Sequence, residues 1–565
     1  MTEGLNPALI LIFGALLVPL LRGRLRAAYL LLLPVLGLAQ LVSLPTGEQG
    51  ALQVFDLALV TLRLDPLSFV FALIFFVAAG LATLFALQVR DTLQHVAALV
   101  YAGAAIGAVL AGDLVTLFVC WELTAVASVL LIWARRSERA LAAGMRYLVA
   151  QIGSGVLLLG GVVLHYHATG SLAFGPIGLE SPGGTWIFLA FGIKCAFPLL
   201  HNWLVDAYPE ATGTGSVVLS IFTTKLAVYT LARAFAGTEL LVPIGATMVA
   251  FPIFFALIES DLRRVLAYSL VSQLGFMVVA IGVGSELALN GALAHAVCHI
   301  LYKSLLFMSM GAVLARVGSV RIADLGGLHR SMPWTTACCI VGAASIAAVP
   351  LFCGFVSKTL ILSAVAEQHR WLTWLVLLFA SAAVLHYVAV RVPWLAFFGE
   401  DSGKRCQEAP ATMLWAMGLT SALCILIGVW PGLLYGLLPF PIDGSAYTPS
   451  HVLAQLQLLL FSALALALLM RSGLYPAAAA GLSLDSDWLY RRGLVRVLLD
   501  LRRRYRSLAG RAAGDADARG GRVLAALYRH HGPRGALAKT WPTGSMVLWV
   551  SVLLAGFLVF YYLQS

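Results

Sequence analysis

The sequence predicts an all-α, polytopic membrane protein of about sixteen transmembrane helices. Of its 565 residues, 61% are hydrophobic and only 11% are charged, whereas about a quarter of the residues of a soluble domain are charged. The apolar residues fall into runs of the length that a bilayer-crossing helix needs, which is about 20 residues. This composition excludes an ordinary soluble protein and leaves no room for a large soluble catalytic domain.

The apolar runs follow one another along most of the chain. The first run follows Glu3 instead of basic residues, and no small-residue cleavage site follows it, so we expect a retained span and not a signal peptide. In order, the runs lie at about 6–21, 27–45, 66–88, 94–111, 114–133, 147–167, 185–204, 214–235, 239–258, 263–283, 288–315, 335–364, 370–395, 411–437, 451–470 and 544–563.

The connections between the runs alternate in charge. Arginine and lysine are concentrated after runs 1, 3, 5, 9, 11, 13 and 15, whereas the connections after the even-numbered runs carry mainly Asp and Glu. Basic connections of membrane proteins face the cytoplasm. We therefore expect a multi-pass protein of a bacterial inner membrane with both termini on the non-cytoplasmic side. The net charge of +11 follows from this bias and does not indicate nucleic-acid binding.

One long connection, residues 485–540, is basic and not apolar. It carries 13 Arg and Lys against 5 Asp, which is +8 of the net +11, and we expect it on the cytoplasmic surface. From about Asp487 to Leu508, apolar residues alternate with arginines at helical spacing, as in an interfacial amphipathic helix. Anionic lipids are its expected contact, with a partner subunit as the alternative. The residues expected to interrupt the helix are Gly510, Gly514, Gly520, Gly521, Gly532, Pro533 and Gly535.

Ionisable residues inside the runs carry the functional information. A charge in the hydrocarbon costs at least about 2.5 kcal/mol, so such groups usually line water-filled paths or pair with each other. Glu122 lies too deep in run 5 to reach the membrane surface, and Lys194 and Lys225 lie near the middle of runs 7 and 8. Pro198 removes the helical hydrogen bond to the carbonyl oxygen of Lys194, so run 7 should break beside its lysine.

Run 11 carries a polar stripe. His295, His299 and Lys303 recur every four residues and therefore share one face of an otherwise apolar helix. The two histidines could instead ligate zinc, but the sequence has no HExxH and no evident third ligand. His386 in run 13 is a weaker member of the set.

Run 12 repeats the combination of helix breakers and a lysine. Pro350 and Gly354 precede Lys358 by eight and four residues. We therefore expect a second broken helix near Gly354 to Lys358, with water reaching the lysine.

Together these residues suggest a proton path through the membrane. A change in the distance between Glu122 and Lys194 changes the proton affinity of both groups, and histidine exchanges protons readily near neutral pH. The alternative is a structural scaffold in which the charges only join helices, and transport would then survive their removal.

No cofactor is expected. The eight cysteines lie mostly in apolar runs, without a CxxC pair or metal-ligand spacing. No GxGxxG, flavin, haem or quinone motif is present, so we expect a transporter subunit with no catalytic residues and no metal.

Several segments resemble the antiporter-like subunits shared by respiratory complex I and multisubunit Mrp-type cation/proton antiporters. They are GIKCAFPLLHNWLVDAYPEA, SVVLSIFTTKLAVYTLAR, the HxxxHxxxK stripe with KSLLFMSMG, and GFVSK. The resemblance covers about residues 60–440 and implies two inverted five-helix repeats, each with a broken helix. By the same resemblance, proton transfer would involve Glu122, Lys194, Lys225, His295, His299, Lys303 and Lys358.

The resemblance also divides the chain into segments. They are residues 1–92 with spans 1–3, residues 93–236 with the first repeat (spans 4–8), residues 237–398 with the second repeat (spans 9–13), residues 399–472 with spans 14–15, the basic segment 473–542, and residues 543–565 with span 16.

The kind of complex to which the chain would belong is indicated by less specific sequence features. TTKLAVYTLAR and DSDWLYRR look like the D-type subunit of Mrp antiporters and its relatives, which favours a subunit of a Na+ or K+:proton antiporter. A proton-pumping subunit of complex I or of a membrane-bound hydrogenase is the alternative, followed by a membrane partner of an inorganic-carbon uptake system. The expected partners are other membrane subunits of one complex, protons with Na+ or K+, and anionic lipids, but no nucleic acid.

Overall fold

The computed structural model describes residues 5–442, 444–473, 485, 488, 493, 496–497, 499–503, 517–532 and 543–564. Residues up to Asp485 form one compact unit, and the residues from Ser486 onward form a second. Within the described residues the chain is helical apart from one β-hairpin and the connections.

Thirteen described helices are long and apolar enough to cross a membrane, and three shorter apolar helices lie at 8–20, 184–194 and 333–346. They follow the order of the apolar runs, which confirms the predicted all-α polytopic fold. The helices of the first half are α1 (Ala8–Gly14), α2 (Gly23–Ser43), α3 (Pro66–Ala86), α4 (Thr92–Leu110), α5 (Leu114–Trp133), α6 (Glu138–Thr169), α7 (Gly184–Lys194), α8 (Asn202–Ala207), α9 (Gly213–Ile221) and α10 (Thr223–Ala234).

The second half continues in the same manner. Its helices are α11 (Leu241–Ile258), α12 (Leu262–Val283), α13 (Glu286–Val317), α14 (Pro333–Ile346), α15 (Cys353–Glu367), α16 (Trp371–Val384), α17 (Arg391–Pro393), α18 (Ala411–Val429), α19 (Gly432–Tyr435), α20 (Pro449–Arg471), α21 (Asp517–His531) and α22 (Thr543–Gln564). Two π-helical stretches, Leu385–Val390 and Trp394–Phe398, extend span 13 on both sides of α17.

Side-chain caps fix where several helices begin. Asp65, Asp113 and Asp261 each accept a hydrogen bond from a backbone N–H in the first turn of α3, α5 and α12. Ser137 and Ser285 do the same for the two 32-residue helices, α6 and α13. These caps satisfy N–H groups that a helix start leaves without partners.

A β-hairpin lies between α2 and α3, where the sequence predicted only a connection. Strand β1 (Gly47–Val54) pairs antiparallel with β2 (Leu57–Leu64). Asp113 attaches the hairpin to the helices, because its Oδ2 accepts from the N–H of Val60 (3.0 Å) while its Oδ1 caps α5.

Spans 7 and 12 are both interrupted, as the fold prediction required. In span 7, α7 ends at Lys194 and α8 begins at Asn202. In span 12, α14 ends at Ile346 and α15 begins at Cys353. Each interruption lies in the fourth of the five spans that the resemblance assigns to one repeat.

The two interruptions have the same backbone conformation. Ala196 and Ala348 adopt left-handed φ values of 62° and 57°. The following residue in each loop donates its N–H five residues back, at 3.0 Å in both cases. This is the hydrogen-bond pattern of a Schellman helix end, so both helices stop in the same way although no glycine occupies the left-handed position.

A third interruption, in span 8, was not predicted. Phe222 separates α9 from α10. The N–H of Thr223 donates to the Tyr101 hydroxyl of α4 (2.9 Å) instead of continuing the helix. A side chain inserted into the helical ladder is a known cause of such an interruption.

The most buried helices are the ones that carry charge. In the most apolar 18-residue stretch of each span, every residue is buried in α12 and in the span formed by α9 and α10. The buried share is 94% in α13 but only 11% in α20. The residues Lys225, His295, His299 and Lys303 therefore lie at the centre of the first unit and not on its surface.

The second unit corrects one expectation from the sequence. Helix α21 passes through Gly520 and Gly521, so these two glycines do not interrupt helical structure. Residues 496–497 and 499–503 are helical, as expected for the segment from Asp487 to Leu508, but most of that segment lies outside the described residues. Gly510, Gly514, Pro533 and Gly535 also lie outside the described residues.

Gly428 of α18 packs against the interruption of span 12. A Cβ at this position would lie 2.2 Å from the carbonyl oxygen of Leu351, which is backbone and has little freedom to move. Tyr447 joins the same two segments, because its hydroxyl donates to the Gly428 oxygen (2.5 Å) and accepts from the Leu351 N–H (2.9 Å).

We predict that Gly428→Ala displaces this loop and destabilises the protein by about 1–3 kcal/mol, the usual range for overpacking. The measurement is the thermal unfolding midpoint of the detergent-purified protein. Gly418→Ala in the same helix is the control, because nothing lies within 4 Å of a Cβ there. Equal midpoints for the two variants would contradict the proposed contact.

Candidate functional site

Lys194 ends α7 with its ammonium group enclosed by α5 and α6. Its Nζ donates to the Trp121 carbonyl oxygen (2.6 Å) and to Thr124 Oγ1 (2.9 Å), and it lies 4.2 Å from the centre of the Trp121 ring. Ser154 of α6 holds this ring by accepting from its Nε1 (3.0 Å). Neutral oxygens and an aromatic face therefore solvate a fully buried cation.

Glu122 lies beside this enclosure, between α5 and α6. Its Oε1 is buried and has no hydrogen-bond partner among the described residues. Gly155 of α6 faces it so closely that a Cβ would lie 1.6 Å from Oε1. The carboxylate acts on Lys194 through its electrostatic field, while the hydrogen bonds of Lys194 go to Trp121 and Thr124. Gly155 thus provides the space in which the carboxylate lies.

Lys225 and Lys358 both donate to carbonyl oxygens at helix interruptions. Lys225 lies just after the interruption of span 8, and its Nζ donates to the Ser220 oxygen (2.5 Å). Lys358 lies in the second turn of α15 and donates to the oxygen of Ile346, the last residue of α14 (2.9 Å). An interrupted helix leaves such oxygens without their N–H partners, so the interruptions create acceptors for the two cations.

Lys303 of α13 repeats the arrangement found around Lys194. It donates to the Leu266 carbonyl oxygen of α12 (3.1 Å) and makes a short hydrogen bond to Ser269 Oγ. In both cases the acceptors are a carbonyl oxygen and a hydroxyl oxygen from residues three apart on one helix. The pair is Trp121 and Thr124 for Lys194, and Leu266 and Ser269 for Lys303.

The histidines of α13 connect this helix to α15. His295 Nδ1 lies 2.9 Å from Ser357 Oγ, next to Lys358, and its Nε2 lies 3.4 Å from the Tyr302 hydroxyl. The ring of His299 lies parallel to that of His295, with centroids 6.0 Å apart. Both nitrogens of His299 are buried without a hydrogen-bond partner among the described residues.

The five buried bases act on one another electrostatically. Lys225, Lys303 and Lys358 all contribute to the field at His299, and Lys225 and Lys358 contribute at His295. No carboxylate contributes at these positions within the described part of the chain. Like charges in a low-dielectric interior repel strongly, so the set cannot hold a proton on every member, and protonation of one base disfavours that of the next.

The helix breakers lie at or near the interruptions. Pro198 and Pro350 occupy matching positions, two residues after the left-handed alanines. Gly354 does not lie in an interruption, since it is the second residue of α15. A Cβ there would lie 1.8 Å from the Ser345 oxygen, so Gly354 permits close packing of the two half-helices.

His386 is not part of the central set. Its Nε2 contacts the carbonyl oxygen and hydroxyl of Ser462 on α20, at 2.9 and 3.0 Å. The side chain therefore joins span 13 to span 15.

Sequence reasoning missed the neutral residues around the charges. Trp121, Tyr302 and Ser357 each directly precede a charged site residue in the sequence, and that adjacency was a usable signal. The sequence did not indicate a role for Ser154 or for Gln273, because single polar residues in apolar helices often serve only to join one helix to another. In the structure, Gln273 Oε1 accepts a hydrogen bond from the Tyr302 hydroxyl (3.4 Å).

The fold and the site define a polytopic membrane protein with a line of buried titratable groups across its centre. Residues 111–385 match the family model described as NADH:quinone oxidoreductase/Mrp antiporter, TM. Over these residues the chain is similar to the antiporter-like membrane subunits shared by Mrp-type antiporters and respiratory complex I.

Relatives of two kinds are found. Hydrogenase-4 component B of Escherichia coli (strain K12) is 27% identical over 423 residues, covering 66% of this chain and 63% of that protein. The A-type subunit of the Na(+)/H(+) antiporter of Alkalihalophilus pseudofirmus (strain ATCC BAA-2126 / JCM 17055 / OF4) is 30% identical over 433 residues, covering 66% of this chain and 53% of that protein. The chain thus spans less than two thirds of the length of these relatives.

A solved structure has the same fold. One chain of the Mrp complex from Dietzia sp. DQ12-45-1b superposes with a TM-score of 0.70 at 21% sequence identity, covering 83% of this chain and 100% of that chain.

We predict that Gly155→Ala moves the Glu122 carboxylate and slows proton transport about ten-fold or more, the scale on which positioned acid–base groups act. The protein should still fold, because the end of a glutamate side chain can move aside. Gly153→Ala, in the same helix with nothing within 4 Å of its Cβ, is the control. Transport in vesicles at the control rate would show that the position of the carboxylate does not matter.

Proposed function

We propose that this chain is the proton-translocating subunit of a multisubunit Na+ or K+:proton antiporter of the Mrp type, similar to the D-type subunit of such complexes. The observation that carries the proposal is the set of buried bases, Lys194, Lys225, Lys303 and Lys358 with two histidines, each lysine bound to neutral oxygens. A purely structural charge would be expected to have an ion-pair partner.

The proposed path begins at Lys194. A proton on Lys194 is favoured by the Glu122 carboxylate and disfavoured by protonation of the bases beyond it. The hydroxyls of Thr124 and Ser154 and intervening waters would carry protons to and from the lysine. Lys225, at the interruption of span 8, would be the next group to accept the proton.

The relay between the two halves would run along α13. The stripe of His295, His299 and Lys303 rises about 12 Å from first to third residue, and His295 meets α15 through Ser357 next to Lys358. Repulsion among these bases lets a proton added at one end release one at the other. Lys358 would then deliver the proton to the opposite side of the membrane.

Coupling to a monovalent cation is supported by the relatives, since the described residues contain no group of three or more His, Cys, Asp or Glu that could hold a metal ion. The D-type subunit of the Na(+)/H(+) antiporter of Alkalihalophilus pseudofirmus is 28% identical over 315 residues, with 64% of its length covered. The cation would bind elsewhere in the complex and would couple to proton transfer through the Glu122–Lys194 pair.

A redox-driven complex is the second candidate. The similarity to hydrogenase-4 component B favours it. In that case the same residues would move protons, but electron transfer in other subunits would drive them.

We predict that the complex containing this chain, reconstituted in vesicles, changes the internal pH when a Na+ or K+ gradient is imposed. Glu122→Gln and Lys194→Met should abolish this change, because they remove the interacting charges at nearly constant volume. Lys404→Met, in the connection between α17 and α18, is the control. Proton movement only with an electron donor would favour the redox candidate, and full activity of either variant would exclude the pair from the mechanism.

We predict a different pattern for the relay. Lys303→Met should block transport, and His299→Gln, which keeps a hydrogen-bonding group but cannot exchange a proton, should slow it about 10²-fold or more. The thermal midpoint of both variants should stay near that of the unmodified protein. Wild-type rates in both variants, or inactivation by removal of stoichiometric zinc, would contradict the relay.

A further inference from the structure

A buried carboxylate from beyond α20 contacts the interruption of span 7. His201 directly precedes α8, and its side chain is 2% exposed. Its Nε2 lies 3.2 Å from Asp485 Oδ2, and the Asp485 side chain is 8% exposed. The Tyr268 hydroxyl of α12 donates to the same oxygen at 2.8 Å. Three segments far apart in sequence therefore meet at one carboxylate beside the broken helix.

The chemistry of the contact determines which nitrogen of His201 carries hydrogen. An ionised carboxylate only accepts hydrogen bonds, so the Nε2 of His201 must donate to Asp485. In the neutral ring the other nitrogen, Nδ1, then has the free lone pair. This Nδ1 is buried and has no hydrogen-bond partner among the described residues. The imidazole is thus held with its proton acceptor directed away from Asp485.

The surroundings keep the ring in this orientation. Phe251 of α11 packs on it with ring centroids 4.6 Å apart. Charged groups on the adjoining helices include Lys194 at the end of α7, Asp206 of α8, and Arg263 and Arg264 of α12. Asp206 is paired with Arg146 of α6 at 2.6 Å. Among the described residues, Asp485 is therefore the acidic group bonded to the imidazole.

We propose that Asp485 is a positioning residue for proton transfer through the first broken helix, where it holds His201 ready to accept a proton at Nδ1. The proton binds to Nδ1, Asp485 stabilises the resulting imidazolium, and the same proton leaves from Nδ1 toward Lys194 through water. The Nε2–H bond is kept throughout, so the carboxylate stays ionised. This inference rests on the proposed function, because it names a further residue of the same proton path.

The structural reason for this assignment is the position of His201. It lies seven residues after Lys194, at the other end of the same interruption, where the backbone leaves helical geometry. Within the described residues Nε2 of His201 is bonded and Nδ1 is not, so the ring keeps one nitrogen that can accept a proton. The arrangement matches a carboxylate that orients a histidine and stabilises its charged form, as in hydrolytic triads.

Asp485→Asn tests the inference in the reconstituted complex. We expect coupled proton transport to fall about ten-fold or more, because the amide no longer fixes the reactive nitrogen. Asp485→Glu should recover much of the rate, and Tyr268→Phe should reduce it less than Asp485→Asn does.

Asp500→Asn is the matched control, because Asp500 is 66% exposed and pairs only with Arg503 within the described residues. An unchanged rate in Asp485→Asn, with the unmodified complex active, would overturn the inference and leave the proposed function intact. Loss of transport together with loss of the assembled complex in both Asp485→Asn and Asp485→Glu would mean a structural contact and would also overturn it. Inactivity of the unmodified complex would instead contradict the proposed function.

Discussion

Four ammonium groups lie in the apolar interior of this protein, and none of them is hydrogen-bonded to a carboxylate among the described residues. Each donates to a main-chain carbonyl oxygen: Trp121 for Lys194, Ser220 for Lys225, Leu266 for Lys303 and Ile346 for Lys358. An unsolvated charge would cost several kcal/mol or would lose its proton. Carbonyl dipoles solvate the charged form without neutralising it, so each lysine can gain and release a proton without breaking a hydrogen bond to a buried carboxylate.

This requirement explains why the helices are interrupted where they are. A continuous helix uses all of its carbonyl oxygens internally, whereas Ile346 ends α14 and Ser220 lies two residues before Phe222. Where the helix is continuous, the lysine binds a hydroxyl as well as the carbonyl, and this hydroxyl lies three residues later in the same helix. Thr124 provides it for Lys194 and Ser269 for Lys303. One site of each kind lies in residues 93–236 and one in residues 237–398. Lys194 precedes the span 7 interruption, whereas Lys358 follows the span 12 interruption.

The structural features that depend on local composition could be predicted from the sequence. The lengths of the apolar runs predicted the order of the helices, and the proline four residues after Lys194 predicted the first interruption. The span 8 interruption could not be predicted, because its cause is the hydroxyl of Tyr101, 121 residues before Phe222. Likewise Gly155 had no visible role until α6 was packed against Glu122. These features arise from contacts between helices, which hydropathy and residue spacing do not reveal.

The two ends of the path differ in a way that bears on direction. The Glu122 carboxylate acts on Lys194, and the Asp485 carboxylate is bonded to His201 at the other end of the same interruption. Around His295, His299 and Lys303 the described residues contribute only positive charge. Negative charge is therefore present at the first broken helix, whereas the described groups at the centre repel a further proton. A change in the field of Glu122, caused by a neighbouring subunit or a bound cation, would be enough to send a proton from Lys194 into the relay and displace one from Lys358.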